Sequence, residues 1–162
     1  MFLWVAIEKF GIYTHLVEYI YKTAPYQHQD DVLKASWNKV NWAFFMEMGT
    51  GKSKVCIDTA TMLYERDEID TFIVVAPKGV YRNWGALEIP AHMPNRVRDG
   101  ALLSLWRPNP TKALKQDLMS FLKAATGFRM LMMNVEALST AKGQKFLLGV
   151  LRASKALLAI DE

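Results

Sequence analysis

Phe44-Phe45-Met46-Glu47-Met48-Gly49-Thr50-Gly51-Lys52-Ser53 is the stretch on which the reading of this chain turns. An apolar run breaks into a turn bracketed by two glycines, ends in Lys-Ser and opens into an amphipathic segment. Two glycines let the backbone curl until several N–H groups point into one concavity at a helix start, which makes an anion nest. From there Lys52 reaches the outer phosphates of a nucleotide and the Ser53 hydroxyl ligates Mg²⁺. Gly49, Thr50, Gly51, Lys52 and Ser53 are therefore candidate phosphate-binding residues. The general pattern G-x-x-x-x-G-K-S/T has its first glycine where Met46 stands, and the shorter G-x-G-K-S also arises by chance in surface turns. The flanks decide between the two. Trp42 to Met46 reads as a buried strand, and Val55, Cys56, Thr59, Met62 and Leu63 recur at helical spacing, with Lys54, Asp58 and Glu65 on other faces.

Working outward, residues 1–24 are aromatic-rich and read as a short strand followed by a helix from Thr14 to Tyr21. A helix is expected from Gln27 to Lys39. Thr71 to Ala76 is a β-branched apolar strand closed by Pro77. A short helix through Trp84 to Glu88 is expected to stop at Pro90, with irregular chain from His92 to Asp99 and a weaker strand from Ala101 to Leu105. Thr111 caps a helix in which Leu114, Leu118, Phe121 and Leu122 share a face, ending by Gly127. Met130 to Met133 is a further apolar run. Val135 to Val150 reads as helix broken near Lys142-Gly143, and Ala156 to Ile160 is the last strand. Short buried strands alternating with helices predict an α/β fold, a parallel β-sheet flanked by helices.

The 162 residues fit one domain with a sizeable core. Half of them are hydrophobic and 22% are charged, which excludes a disordered chain. The net charge of +4 permits a polyanion partner without requiring one. A single cysteine, Cys56, excludes an internal disulfide framework and a cysteine zinc cluster, and reads as a buried structural thiol. His15, His28 and His92 have no metal-ligand spacing, and no nucleophile-elbow motif occurs. The nine methionines read as core filler. The apolar start, Met1 to Ile7, is too short for a signal segment and meets Glu8 and Lys9 at once. The expectation is a soluble, cytoplasmic protein with no membrane partner.

In an open parallel sheet, ligands bind beyond the carboxyl ends of the strands. At that edge the sequence sets the glycine loop, then Pro77, Lys78 and Gly79, then Asn134, then Asp161 and Glu162. An apolar run ending in Asp-Glu has the form of a Walker B strand, with Asp161 in the Mg²⁺ shell and Glu162 orienting or deprotonating the attacking water. The alternative is a charged tail.

Taken in order, Pro25-Tyr26-Gln27, Met46 to Ser53, Ala76-Pro77-Lys78 with Asn83-Trp84 and Glu88, Met133 to Leu138, and Ile160-Asp161-Glu162 resemble successive motifs of superfamily 2 helicases, closest to the SNF2-like branch and its phage-type members. The resemblance runs from about residue 25 to the end. It implies a P-loop NTPase fold of the RecA-like type, with residues 1–24 as an N-terminal extension and 25–162 as part of the first ATP-binding domain. It implies ATP and Mg²⁺ as cofactors and DNA, double-stranded in preference to RNA, as partner. By the same resemblance Gln27 reads the adenine edge, with a helix-capping role as the alternative. Lys52, Asp161 and Glu162 become catalytic, and Ser53 and Asp161 ligate Mg²⁺. Pro77, Lys78, Arg82 and Asn134 contact the nucleic-acid backbone. Trp84 is read as a core anchor in preference to a base-stacking platform.

Members of that family carry a second RecA-like domain, and in related folds the strand after Walker B inserts between the loop strand and the Walker B strand. The chain is thus expected to be truncated after Walker B, leaving a central gap in the sheet. Closure is expected by strand rearrangement, by self-association through a swapped copy, by aggregation, or by a missing half supplied in trans. The implied activity of the full-length protein is ATP-driven translocation on DNA. The alternative for the full-length protein is the motor part of a restriction or packaging ATPase. For these 162 residues alone the expectation is an inactive or very weak fragment that binds nucleotide, nucleic acid or a partner chain without turnover.

Overall fold

Thr71–Ala76 has no polar alternation, and all six of its residues are buried, as a strand covered by helices on both faces requires. It is β3 at the heart of the sheet. The computed structural model describes the main chain of residues 2–6 and all of residues 19–161. The other strands are β1 (Phe2–Ala6), β2 (Asn41–Phe44), β4 (Leu102–Leu105), β5 (Arg129–Asn134) and β6 (Ala156–Asp161). They form one six-stranded sheet in the order β2-β1-β6-β3-β5-β4. The four strands from β6 to β4 are mutually parallel. β1 pairs antiparallel with both β2 and β6, so β2 runs in the same direction as β6. The slot expected to be empty between the loop strand and the Asp161 strand is filled from within the chain, by Phe2–Ala6.

Side chains alternate across the strands and divide the core in two. Phe72, Val74, Met130, Met132, Leu157 and Ala159 face one cluster, closed by α1 (Gln27–Ser36), α2 (Lys52–Glu65) and the helical stretch from Tyr81 to Arg98. Ile73, Val75, Leu131 and Met133 face the other, closed by α6 (Lys112–Lys123) and α7 (Ala141–Arg152). Helices on both faces of a largely parallel sheet give the α/β arrangement expected. No described helix is long and apolar enough to cross a membrane.

Several local expectations are corrected. α1 stops at Ser36, not Lys39, with the Trp37 N–H on Leu33 O at 3.0 Å. Pro90 does not end its helix. α3 (Tyr81–Asn83) widens into a π turn, Trp84–Glu88, and continues as α4 (Ile89–His92). The wide turn bonds Ile89 N–H to Trp84 O, five residues back. Proline cannot donate to the carbonyl four residues back and crowds it, so a register wider by one residue accommodates the ring. The chain after it is partly regular, with α5 at Asn95–Arg98. Leu122 is exposed, outside the buried pair Leu118 and Phe121. The break before α7 falls at Thr140, after a 3₁₀ stretch Val135–Ser139. Thr140 Oγ1 accepts from Gly143 N at 3.1 Å, so Lys142-Gly143 lies inside the first turn. Of the predicted Thr14–Tyr21 helix, residues 14–18 lie outside the described residues, and Tyr19–Tyr21 is not helical.

Lys54 and Asp58 do not face solvent. Every residue of α2 from Lys54 to Leu63 is buried, because the segment Tyr19–Lys22 crosses over the helix. Lys54 Nζ meets Asp58 Oδ2 at 2.6 Å, and Tyr19 donates to Asp58 Oδ1 at 2.9 Å. The Tyr21 ring covers the Lys54 ammonium at 5.0 Å. Lys22 donates to Pro90 O, and Arg96 donates to Ile20 O at 3.0 Å. Two buried charges are tolerated when each satisfies the other and the remaining lone pairs find donors.

Candidate functional site

β2 delivers Phe44 to the carboxyl edge of the sheet, where its side chain is 2% exposed, and the chain then leaves the sheet. Gly49 and Gly51 both adopt left-handed backbone, with φ of +77° and +86°, which residues with a Cβ adopt at a cost. Gly51 is doubly constrained, since a Cβ there would lie 2.2 Å from Gln29 Nε2. It is also the N-cap of α2 and offers no capping side chain. The Val55 N–H bonds Gly51 O at 3.2 Å, and the N–H groups of Lys52, Ser53 and Lys54 ahead of it are the donors that a helix start leaves unpaired. With the positive end of the helix dipole they favour an anion at this point.

Lys52 opens the helix and folds back over the loop. Its ammonium donates to Met46 O at 2.9 Å and Glu47 O at 2.7 Å. Thr50 Oγ1 donates to Glu47 O at 2.7 Å and tightens the same turn. The Thr50 carbonyl is drawn the other way, toward α1. It accepts from Gln29 Nε2 at 3.0 Å and lies 3.0 Å from His28 Nε2. Gln29 is 5% exposed, and its Oε1 accepts from the Tyr26 N–H at 3.0 Å. One side chain thus joins the start of α1 to the glycine loop.

Gln27 is placed differently. It is exposed at the first residue of α1, and its amide donates to Asp31 Oδ1 at 2.8 Å. The loop contact belongs to Gln29, two residues on, which the sequence reading passed over. A glutamine at the third helical position is a signature of the reciprocal cap, but its second bond, to Thr50, joins residues 21 apart and leaves no local trace.

Asp161 ends β6. By strand alternation it shares the side of Leu157 and Ala159, the side covered by α2. Asp161 Oδ2 accepts from Trp84 Nε1 at 3.0 Å. Trp84 is 1% exposed, so it is the core anchor expected and also an orienting donor for the carboxylate, a role its sequence context did not reveal. Burial, with a smaller contribution from the Asp161 charge, pushes the Cys56 thiol well above its ordinary range. Cys56 is buried as expected, and it lies one turn beyond Ser53 on α2. The carboxylate and the start of the loop helix therefore share one side of the sheet. Ser53 is half-buried. A hydroxyl and a carboxylate are oxygen donors of the kind a hard divalent cation takes. Glu162 lies outside the described residues.

The proposed backbone-contacting residues gather on the same edge. Ala76 and Asn134 are register partners across β3 and β5, so the turn at Pro77 and Lys78 stands beside Asn134. Lys78 is exposed, and the turn is closed by Val80 N–H on Pro77 O at 2.8 Å. Asn134 is half-buried, with Oδ1 buried and without a hydrogen bond. Arg82 is exposed on α3 and rests against Tyr81, with Nε 3.3 Å from the phenol oxygen. Compared with protein-family models and with curated proteins, the chain matches none.

Proposed function

We propose that this chain is the ATP-binding portion of an SNF2-like superfamily 2 ATPase that couples nucleotide hydrolysis to movement on DNA. One observation carries the reading. An uncapped helix begins with Lys52-Ser53 behind two left-handed glycines, and Asp161 stands on the same side of the same sheet edge. The order of the flanking motifs, from Pro25-Tyr26-Gln27 to Asp161, supports it further.

In this reading the loop N–H groups and Lys52 bind the β- and γ-phosphates, and the ammonium exchanges its carbonyl partners Met46 and Glu47 for phosphate oxygens. Ser53 and Asp161 would hold Mg²⁺, and both residues suit it by donor type. When bound, the ion neutralises charge that develops on the transferred phosphoryl group. Trp84 keeps the Asp161 carboxylate turned toward the loop helix. Glu162, assigned through the resemblance, orients the attacking water. Pro77, Lys78, Arg82 and Asn134 form the edge over which a DNA backbone would pass.

The test is binding of a fluorescent ATP analogue with Mg²⁺, followed by anisotropy, for the wild-type chain and for Lys52→Ala. Removing the ammonium is expected to weaken binding at least about tenfold, a loss in keeping with a charge-assisted phosphate contact. Equal affinity in the two proteins would overturn the phosphate-loop assignment. Phosphate release with and without duplex DNA then distinguishes a motor from a module that binds nucleotide without turnover.

A further inference from the structure

Charge is unevenly divided along the chain. Residues 107–155 hold nine Lys or Arg against two Asp or Glu, whereas residues 1–106 hold eleven against twelve. The fold gathers six of those nine onto one side of the sheet. Lys112, Lys115 and Lys123 are exposed on α6, and Lys142, Lys145 and Arg152 are exposed on α7. At 100° per residue, Lys112, Lys115 and Lys123 align along α6 with Met119, and Lys145 and Arg152 align along α7 with Leu148. Asp117 falls off the α6 stripe.

Elsewhere Lys34, Lys54, Arg96, Arg98 and Arg129 are neutralised in ion pairs, while other cations, Lys52, Lys78 and Arg82 among them, show none among the described residues. None of the six on α6 and α7 forms an ion pair among the described residues. A face of unpaired cations repels itself, and a polyanion relieves that repulsion. The apolar faces of both helices are already spent on the core, through Leu118 and Phe121 on α6 and Leu147 and Val150 on α7. What remains outside is cationic, with Met119 beside Leu122 on α6 and Leu148 on α7 set among the charges. A bilayer surface needs a continuous apolar face as well as charge, and this face has none to give. The stripe from Lys112 to Lys123 spans about 16 Å of helix axis, enough to face about five phosphates of one strand at 3.4 Å spacing.

We propose that the outward face of α6 and α7 is a docking surface for the phosphate backbone of duplex DNA, separate from the sheet edge that carries Pro77, Lys78 and Asn134. It goes beyond the ATPase reading and does not depend on nucleotide.

The experiment compares duplex binding by fluorescence anisotropy across a salt series, together with binding of the ATP analogue. The variant Lys115→Gln/Lys123→Gln/Lys145→Gln/Arg152→Gln changes only exposed side chains. It should lose at least about tenfold in duplex affinity at low salt. Its slope of log K against log salt should fall by up to about 3.6, at about 0.9 per phosphate contact removed, while nucleotide affinity stays put. The charge-keeping set Lys115→Arg/Lys123→Arg/Lys145→Arg should retain the wild-type slope, which separates loss of charge from loss of fold. Three results would each overturn the proposal. One is unchanged duplex affinity in the glutamine variant. Another is loss of binding in Lys78→Gln/Arg82→Gln alone, which would leave the ATPase reading intact. The third is a wild-type chain that ignores duplex and binds anionic vesicles.

Discussion

His92 lies within electrostatic reach of Lys54 and Asp58 on α2, of Glu88 one turn back, and of Lys22 in the segment that crosses α2. Its Nδ1 is buried without a hydrogen bond, and Nε2 stands 3.8 Å from Glu88 Oε2. Burial pushes the imidazole below its ordinary value of 6.5, and the opposing pull of Glu88 does not restore it. The folded state therefore prefers His92 neutral. Its contribution to stability is present above pH 6.5 and is lost as pH falls through the lower, folded value. Asp58 acts in the opposite sense. Burial raises its carboxyl above 3.8 despite the Lys54 bond, so its contribution is full below pH 3.8 and is lost as pH rises through the folded value. Urea unfolding at pH 7.5, 6.5 and 5.5 is expected to show stability falling with acid over that range, and His92→Gln should flatten the fall. An unchanged pH slope in the variant would refute the assignment. None of this could be read from periodicity, which only set Lys54 and Asp58 off the apolar face of α2. The segment that buries them lies more than thirty residues away in sequence, and helical spacing reports only what an element can bury by itself.

At the scale of elements, β3, β5 and β6 were legible almost to the residue because strands buried on both faces appear as unbroken apolar runs. The glycine loop was legible because Gly49 and Gly51 are needed for backbone that other residues resist. Helix boundaries were less so, since they depend on contacts between elements. Gly143 shows why. In the first turn of a helix its low propensity suggests a break, and helix propensity alone would favour alanine there by about 1 kcal/mol. Packing reverses the sign. A Cβ on Gly143 would stand 2.1 Å from Ala137 O, a backbone atom of the preceding 3₁₀ stretch, and that stretch cannot retreat without losing the Thr140 N–H bond to the same carbonyl, at 3.0 Å. Gly143→Ala is therefore expected to destabilise the protein by about 1–3 kcal/mol, the usual cost of overpacking. Gly149→Ala, in the same helix with open space at its Cβ position, should be neutral or mildly stabilising. Paired thermal melts check both, and equal midpoints for the two variants would contradict the steric account.

For the whole molecule, the position of β1 matters most. Reading the strands one by one identified a candidate near the N-terminus but could not say which neighbours it takes, because pairing partners are not written in a strand's own pattern. By main-chain pairing, Phe2–Ala6 bridges β2, which carries the glycine loop, to β6, which carries Asp161. The two jaws of the candidate nucleotide site are therefore held in register through the main-chain ladders of β1. Central strands tolerate proline poorly because a ladder donor is lost and the ring crowds the neighbouring strand. Val5 pairs with Asn41 on one side and Leu158 on the other. Val5→Pro should lower the unfolding midpoint strongly and weaken ATP-analogue binding. Opened edges on β2 and β6 should also seek new partners, giving heavier species in sedimentation. The control is Leu103→Pro on β4, at the rim of the sheet. There the Leu102 N–H bonds Phe128 O and the Trp106 N–H bonds Met132 O, so by alternation the Leu103 N–H points away from β5 and its loss costs no ladder bond. If Val5→Pro and Leu103→Pro prove equally mild, β1 does not hold the sheet together, and the glycine loop and Asp161 must be kept in register by the helices alone.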